Sequence, residues 1–260
     1  MKPILVNGFF RSGTTYLYRY LEWISNGKAL LEPITTPYNL LNIGLKNLEI
    51  FKSHPKWKGS KYEHFTFFYD ENKLLKFLSF IKDYHIKETT LHLYLDEKFI
   101  VNNWRIFLII RHPADTYLSF IKFFYSEQSR KFIILILERL PYLIRHFFYS
   151  NMRILYNAAE KISRLMGYPK PETHKEAFVL LWTFVNYHAL NSIDPEKQLI
   201  IYEDPESYYK LPKWEEWMKI EPLRIRKYKA RRKYEKEFYD IAKKLRIEKE
   251  FKELMEYLKK

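Results

Sequence analysis

The first twenty-five residues constrain the fold more than any later stretch. Ile4 to Phe9 is a short apolar run ending in a turn, the pattern of a strand buried on both faces. Thr14 to Ser25 then carries Leu17, Tyr20, Leu21 and Ile24 at helical spacing. Between them runs Gly8-Phe9-Phe10-Arg11-Ser12-Gly13-Thr14-Thr15. Strand, tight loop and helix form the opening unit of an α/β fold. Gly8 and Gly13 stand five apart, as in a P-loop. Glycine lets successive backbone N–H groups turn inward, the new helix adds its positive end, and Thr14 and Thr15 add hydroxyls. Together these features suit a phosphate.

Later segments repeat the strand–helix alternation. Lys28 to Leu31 reads as a second short strand, stopped by Glu32-Pro33. Glu71 to Tyr84 has helical periodicity through Leu74, Leu75, Leu78 and Ile81. Arg105 to Ile110 is the clearest buried strand, and Pro113 suits the first turn of a helix running to about Phe124. Residues 126–166 read as ragged amphipathic helix broken at Pro141, Thr173 to Asn191 as helix, and Gln198 to Tyr202 as strand. Tyr234 to Lys260 is a charged amphipathic helix or pair. The expected fold is one α/β domain with a central parallel sheet, flanking helices and a P-loop-like N-terminal strand–loop–helix. A basic helical part runs from about 224 to 260.

Composition narrows the function classes. There is no cysteine, which excludes disulfides, thiolate metal sites and cysteine nucleophiles. No His, Asp or Glu grouping has metal-ligand spacing, so no metal is expected. The 45 Lys+Arg against 31 Asp+Glu leave a charge of +14, which suits an anionic partner. Eight of the 13 residues from Arg224 to Lys236 are basic. Lys2-Pro3 and Ile4-Leu5-Val6 leave no room for a signal peptide, and the apolar run Phe132 to Leu137 is far below the ~20 residues a membrane span needs. A cytoplasmic protein is expected. Two glutamines, no cysteine and abundant Lys, Glu, Ile and Tyr match a thermophile's composition.

The first loop departs from the nucleotide triphosphatase pattern. Thr14 stands where that pattern has lysine, and the cation sits earlier, at Arg11. The strand ending at Ile110 is followed by Arg111, not by a magnesium-binding aspartate. Such a loop is suited to phosphate and poorly suited to hydrolysis of a magnesium nucleotide. Arg111-His112-Pro113-Ala114-Asp115-Thr116-Tyr117-Leu118-Ser119 puts an arginine at the carboxyl end of a parallel strand, where these sheets bind ligands. Asp115, in the next helix's first turn, suits capping and the helix dipole.

Arg11-Ser12-Gly13-Thr14-Thr15 resembles the 5′-phosphosulfate loop of sulfotransferases that use 3′-phosphoadenosine 5′-phosphosulfate (PAPS). Arg111-x-Pro-x-Asp-x-x-x-Ser119 is similar to their 3′-phosphate motif. Trp182, Asn186 and Ile200-Ile201-Tyr202-Glu203-Asp204 resemble a further helix and strand of that family. The resemblance implies sulfuryl transfer from PAPS to a hydroxyl or amine without metal, leaving adenosine 3′,5′-bisphosphate (PAP). It implies that Arg11 contacts the bridging oxygen and the sulfuryl group. It gives the 5′-phosphate to the amides of Ser12 and Gly13 with the Thr14 and Thr15 hydroxyls, and the 3′-phosphate to Arg111 and Ser119. Tyr202 matches a position near the adenine, and Arg231-Arg232-Lys233 stands for a late basic loop, without that loop's glycine. The resemblance covers about 3–33 and 85–205, which it makes the core of the domain, and leaves about 36–70 and 126–170 as insertions.

An acceptor losing a proton as it attacks needs a base. Glu32 ends the second short strand, beside the first loop if the sheet is parallel. His92, in Lys87-Glu88-Thr89-Thr90-Leu91-His92, resembles the Lys-Thr-His segment of the family's small-molecule branch, with the lysine five residues before the histidine instead of two. His64 is a third candidate. The expected acceptor is a small molecule or glycan, with no nucleic acid and at most peripheral membrane contact. Two other readings remain: a basic nucleic-acid or anionic-membrane binder, from Arg224 to Lys236 and the aromatic Phe120 to Phe148, and a P-loop small-molecule kinase.

Overall fold

A computed structural model describes residues 2–35, 67–124, 150–226 and 231–259. His64, most of both insertions and the expected break at Pro141 lie outside the described residues. The chain divides into two compact units, one of residues 1–110 and 188–225, the other of residues 111–187 and 226–260.

The first unit holds a five-stranded parallel sheet. Its strands are β1 (Ile4–Gly8), β2 (Ala29–Leu31), β3 (His85–Glu88), β4 (Arg105–Ile110) and β5 (Leu199–Ile201), in the order β2-β3-β1-β4-β5. All pairings are parallel, with Leu5 opposite Ile86 and Ile106, and Ile109 opposite Ile200. Helix α1 (Thr14–Ile24) joins β1 to β2 and packs on β1, β2 and β3. It buries Leu17, Tyr20 and Leu21 of the four residues its spacing selects, while Ile24, in its last turn, is only half-buried. Helix α2 (Glu71–Phe80) starts where the Asp70 carboxylate accepts the Lys73 amide at 3.1 Å. Helix α3 (Lys98–Asn103) leads into β4. The fold class is therefore α/β with a parallel sheet and flanking helices.

Two expectations about this unit need correction. The helix expected to reach Tyr84 ends at Phe80, because Ile81 bonds back to Leu78 and the chain turns into β3. Strand β3 was not expected at all, since His-Ile-Lys-Glu lacks an apolar run. It separates β2 from β1, so Glu32 is not in the position next to β1 that a two-strand reading gave it.

A core on one face of the sheet gathers Ile4, Val6, Phe107, Ile109 and Ile200 with Leu17, Tyr20 and Leu21 of α1. After α6 (His174–Asn191), the short α7 (Pro195–Gln198) and β5, a 3-10 helix (Pro205–Lys210) and α8 (Trp214–Ile220) close that core with Tyr208, Trp214 and Trp217. Tyr20 donates to the Pro212 carbonyl at 2.7 Å, satisfying a hydroxyl that burial takes from water.

The second unit is helical among its described residues: α4 (Pro113–Phe124), α5 (Ser150–Met166), most of α6, α9 (Arg231–Lys244) and α10 (Glu248–Tyr257). Helix α9 packs on α4 and α10. Tyr117 of α4 meets Phe178 of α6 and Tyr234 and Phe238 of α9 with ring centroids 5.1–5.7 Å apart. The C-terminal segment is thus a helix pair. Arg231 opens α9 and does not lie within a loop. No helix among the described residues is long and apolar enough to cross a membrane.

Candidate functional site

β1 is the middle strand, and the chain leaves it toward β2 on one side while β4 and β5 lie on the other. Open parallel sheets bind ligands beyond the carboxyl ends of strands where the order reverses in this way. The loop at that point is residues 9–13. The Ser12 amide donates to the Phe9 carbonyl at 3.1 Å, closing a tight turn and engaging an amide that the resemblance gave to the 5′-phosphate. Arg11 (φ 68°) and Gly13 (φ 88°) both adopt the left-handed conformation. Arginine is strained there, and such strain concentrates at functional sites. Gly13 is confined to glycine for a second reason: a Cβ would run into the Tyr202 ring.

Tyr202 is held by its own amide, which donates to Ile110 at 2.9 Å, and its hydroxyl reaches the Arg224 carbonyl at 3.4 Å. Its ring lies on Gly13, at the positive end of α1. That end carries no side-chain cap and no acidic residue in its first turn, so its partial charge is not offset locally. Thr14 is buried and Thr15 exposed. The Ser12 hydroxyl and the Asn7 side-chain NH2 are buried with no hydrogen-bond partner among the described residues.

Glu32 follows β2 with φ 46°, left-handed although Pro33 comes next. β3 holds it from two sides. The Glu32 amide donates to the Lys87 carbonyl at 2.6 Å, and the Lys87 ammonium bonds the Glu32 carboxylate. The Lys87 side chain is 2% exposed and that of Glu32 26%. The Glu32 side chain therefore keeps part of its surface open to solvent. His92 differs: it is fully buried, with its ring edge-on to Phe9 and Phe67 at 6.3 and 5.5 Å. Lys87 and Glu88, which the sequence offers only as neighbours of His92, are themselves buried, on a strand that their charges disguise.

The second unit carries the other expected anchors. Arg111 is 4% exposed and donates to the Arg226 carbonyl at 2.8 Å. Ser119 is buried, two turns into α4. Asp115, fully buried, lies 3.7 Å from the Arg231 guanidinium. Arg232 is exposed. His112 accepts the Ala114 amide at 3.3 Å. Burial, with Arg231 and Arg111 close by, pushes its pKa down to about 3. It is neutral at pH 7, so Glu235 at 3.9 Å is no ion-pair partner there. Asn186 donates to the Trp182 carbonyl at 2.8 Å, and both are buried.

In the first unit Arg11, Gly13 and the start of α1 are neighbours in the chain; in the second Arg111 and Arg231 both lie close to His112, with Arg231 also beside Asp115. Among the described residues no group of His, Asp and Glu is arranged to hold a metal ion. No model of a known protein family matches the chain, and no characterised protein matches it either.

Proposed function

We propose that the chain is a sulfotransferase that moves a sulfuryl group from PAPS to a hydroxyl or amine. The observation that carries this reading is the loop after β1. It combines a strained left-handed arginine, a glycine confined by Tyr202 and an uncapped helix N-terminus free of acidic residues. Such a loop suits an anion, and in this reading Arg11 is the cation that meets it. A transferring sulfuryl carries less negative charge than a phosphoryl, so fixed cations and amides are enough to stabilise it.

In this reading the acceptor oxygen or nitrogen attacks sulfur. The bond from sulfur to the 5′-phosphate oxygen breaks, and its electron pair stays on the phosphate. Arg11 and the positive end of α1 stabilise that charge. Arg111 and Ser119 bind the 3′-phosphate, with Arg231 and Arg232 as further cations. The acceptor's proton passes to Glu32, which has the exposed face that His92 lacks. Tyr202 supports the loop from below, which its contact with Gly13 favours over a role confined to the adenine. The expected acceptor is a small molecule or glycan, and the expected location is the cytoplasm.

A screen of hydroxyl and amine acceptors with radiolabelled PAPS tests this. Label should reach an acceptor with the wild type and not with Glu32→Gln, while His92→Gln keeps measurable turnover. Transfer surviving in Glu32→Gln and lost in His92→Gln would reverse the choice of base.

A further inference from the structure

Glu88 is a fully buried carboxylate that takes five hydrogen bonds from two separate turns. Its Oε2 accepts the amides of Ile34 (2.9 Å) and Thr35 (3.3 Å). Its Oε1 accepts the Thr35 hydroxyl (2.5 Å), the Thr89 amide (2.8 Å) and the Thr90 hydroxyl (3.4 Å). Tyr69 in turn donates to Thr90 at 2.6 Å. A charge removed from water is tolerated when donors replace its hydration, and bonds to a carboxylate are the strong kind.

The position of these donors is what matters. Ile34 and Thr35 stand two and three residues after Glu32, whose left-handed backbone is unfavourable before Pro33. Two successive amides aimed at one carboxylate fix the direction of the corner that begins at Glu32. Consecutive residues of β3 thus divide the work. Lys87 takes the amide and the carboxylate of Glu32, and Glu88 takes the turn beyond it.

We propose that Glu88 is a positioning residue: it holds the Glu32–Thr35 corner so that the Glu32 carboxylate keeps one orientation at the carboxyl edge of the sheet. This rests on the reading of Glu32 as the base. Glu88 touches no reacting atom. It acts through backbone, and a misplacement near 1 Å at a reacting group costs on the order of a hundredfold in rate.

The test uses Glu88→Gln, Thr35→Val and Thr35→Ser in the full chain. Thr35→Val removes one donor at nearly constant shape and guards against a Glu88 variant that does not fold. Amide exchange at Ile34 and Thr35 should accelerate about tenfold in Glu88→Gln and Thr35→Val, as expected when bonds closing a local turn are lost. The 13C shift of the Glu32 carboxyl should move with it. Turnover should fall on the order of a hundredfold in Glu88→Gln, with PAP affinity within about twofold of wild type, and Thr35→Ser should behave as wild type. Unchanged exchange and an unchanged Glu32 shift in folded Glu88→Gln would overturn the proposal. So would equal losses of turnover and PAP affinity, or a Thr35→Ser variant as impaired as Thr35→Val. A wild type that binds no PAP would refute the functional reading instead, and the exchange and 13C measurements would still decide the role of Glu88.

Discussion

The buried ammonium of Lys87 on β3 bonds the carboxylate of Glu32 at the end of β2, and the two partners are unequally exposed. With Lys87 at 2% and Glu32 at 26%, removing one is not equivalent to removing the other. Glu32→Ala leaves a charge in the interior and should destabilise the fold by about 3–5 kcal/mol. Lys87→Met fills its space with apolar atoms and leaves Glu32 able to rehydrate, so it should cost clearly less. Chemical denaturation of both variants checks the order.

Gly13 provides a second comparison. Gly13→Ala should destabilise by roughly 1–3 kcal/mol from the left-handed backbone alone, with the collision against the Tyr202 ring added. Tyr202→Ala in the same background should recover the collision and not the backbone cost. Melting temperatures of the single and double variants separate the two contributions.

His112 makes stability depend on pH with a defined sign. Its pKa is about 3 in the folded chain, below the ordinary histidine value. Between roughly pH 6.5 and 3 the unfolded chain therefore holds a proton at this residue that the native one does not, and stability falls as pH falls through that window. The slope from this residue is about 1.4 kcal/mol per pH unit at most. Urea denaturation at pH 7 and pH 5 should show a smaller loss for His112→Asn than for wild type. An equal loss in both would mean that His112 does not titrate in this way.

Arg11 should act on the transition state. Charge gathers on the leaving phosphate oxygen only as the S–O bond breaks, so Arg11→Ala should lower kcat by ~10²–10³. Donor Kd should change by about tenfold or less. Single-turnover kinetics at saturating donor separates the two. A large loss of affinity with normal turnover at saturation would make Arg11 a ground-state anchor.

The strands that could be read from sequence are those whose two faces are both apolar. β1 and β4 stand out because Ile4-Leu5-Val6 and Ile106 to Ile110 leave no polar face to misassign. β3 was hidden because its buried residues include Lys87 and Glu88, whose charges are satisfied by partners distant in sequence. Missing β3 also misplaced Glu32, since strand order depends on every strand being counted. The loop of Arg11 and Gly13 was legible from glycine spacing, whereas the Tyr202 ring on Gly13 spans about 190 residues of chain and leaves no local trace. Glu88 was unreadable as a positioning residue for the same reason: its donors at Ile34 and Thr35 lie more than 50 residues away.

The most direct test of the central claim is calorimetric titration of the wild type with PAP in the absence of magnesium. PAP should bind, adenosine 5′-monophosphate should bind at least tenfold more weakly for want of the 3′-phosphate contact at Arg111, and Arg111→Ala should remove that preference. ATP with magnesium should bind less well than PAP. ATP·magnesium binding as tightly as PAP, or a wild type that binds no PAP, would contradict the assignment.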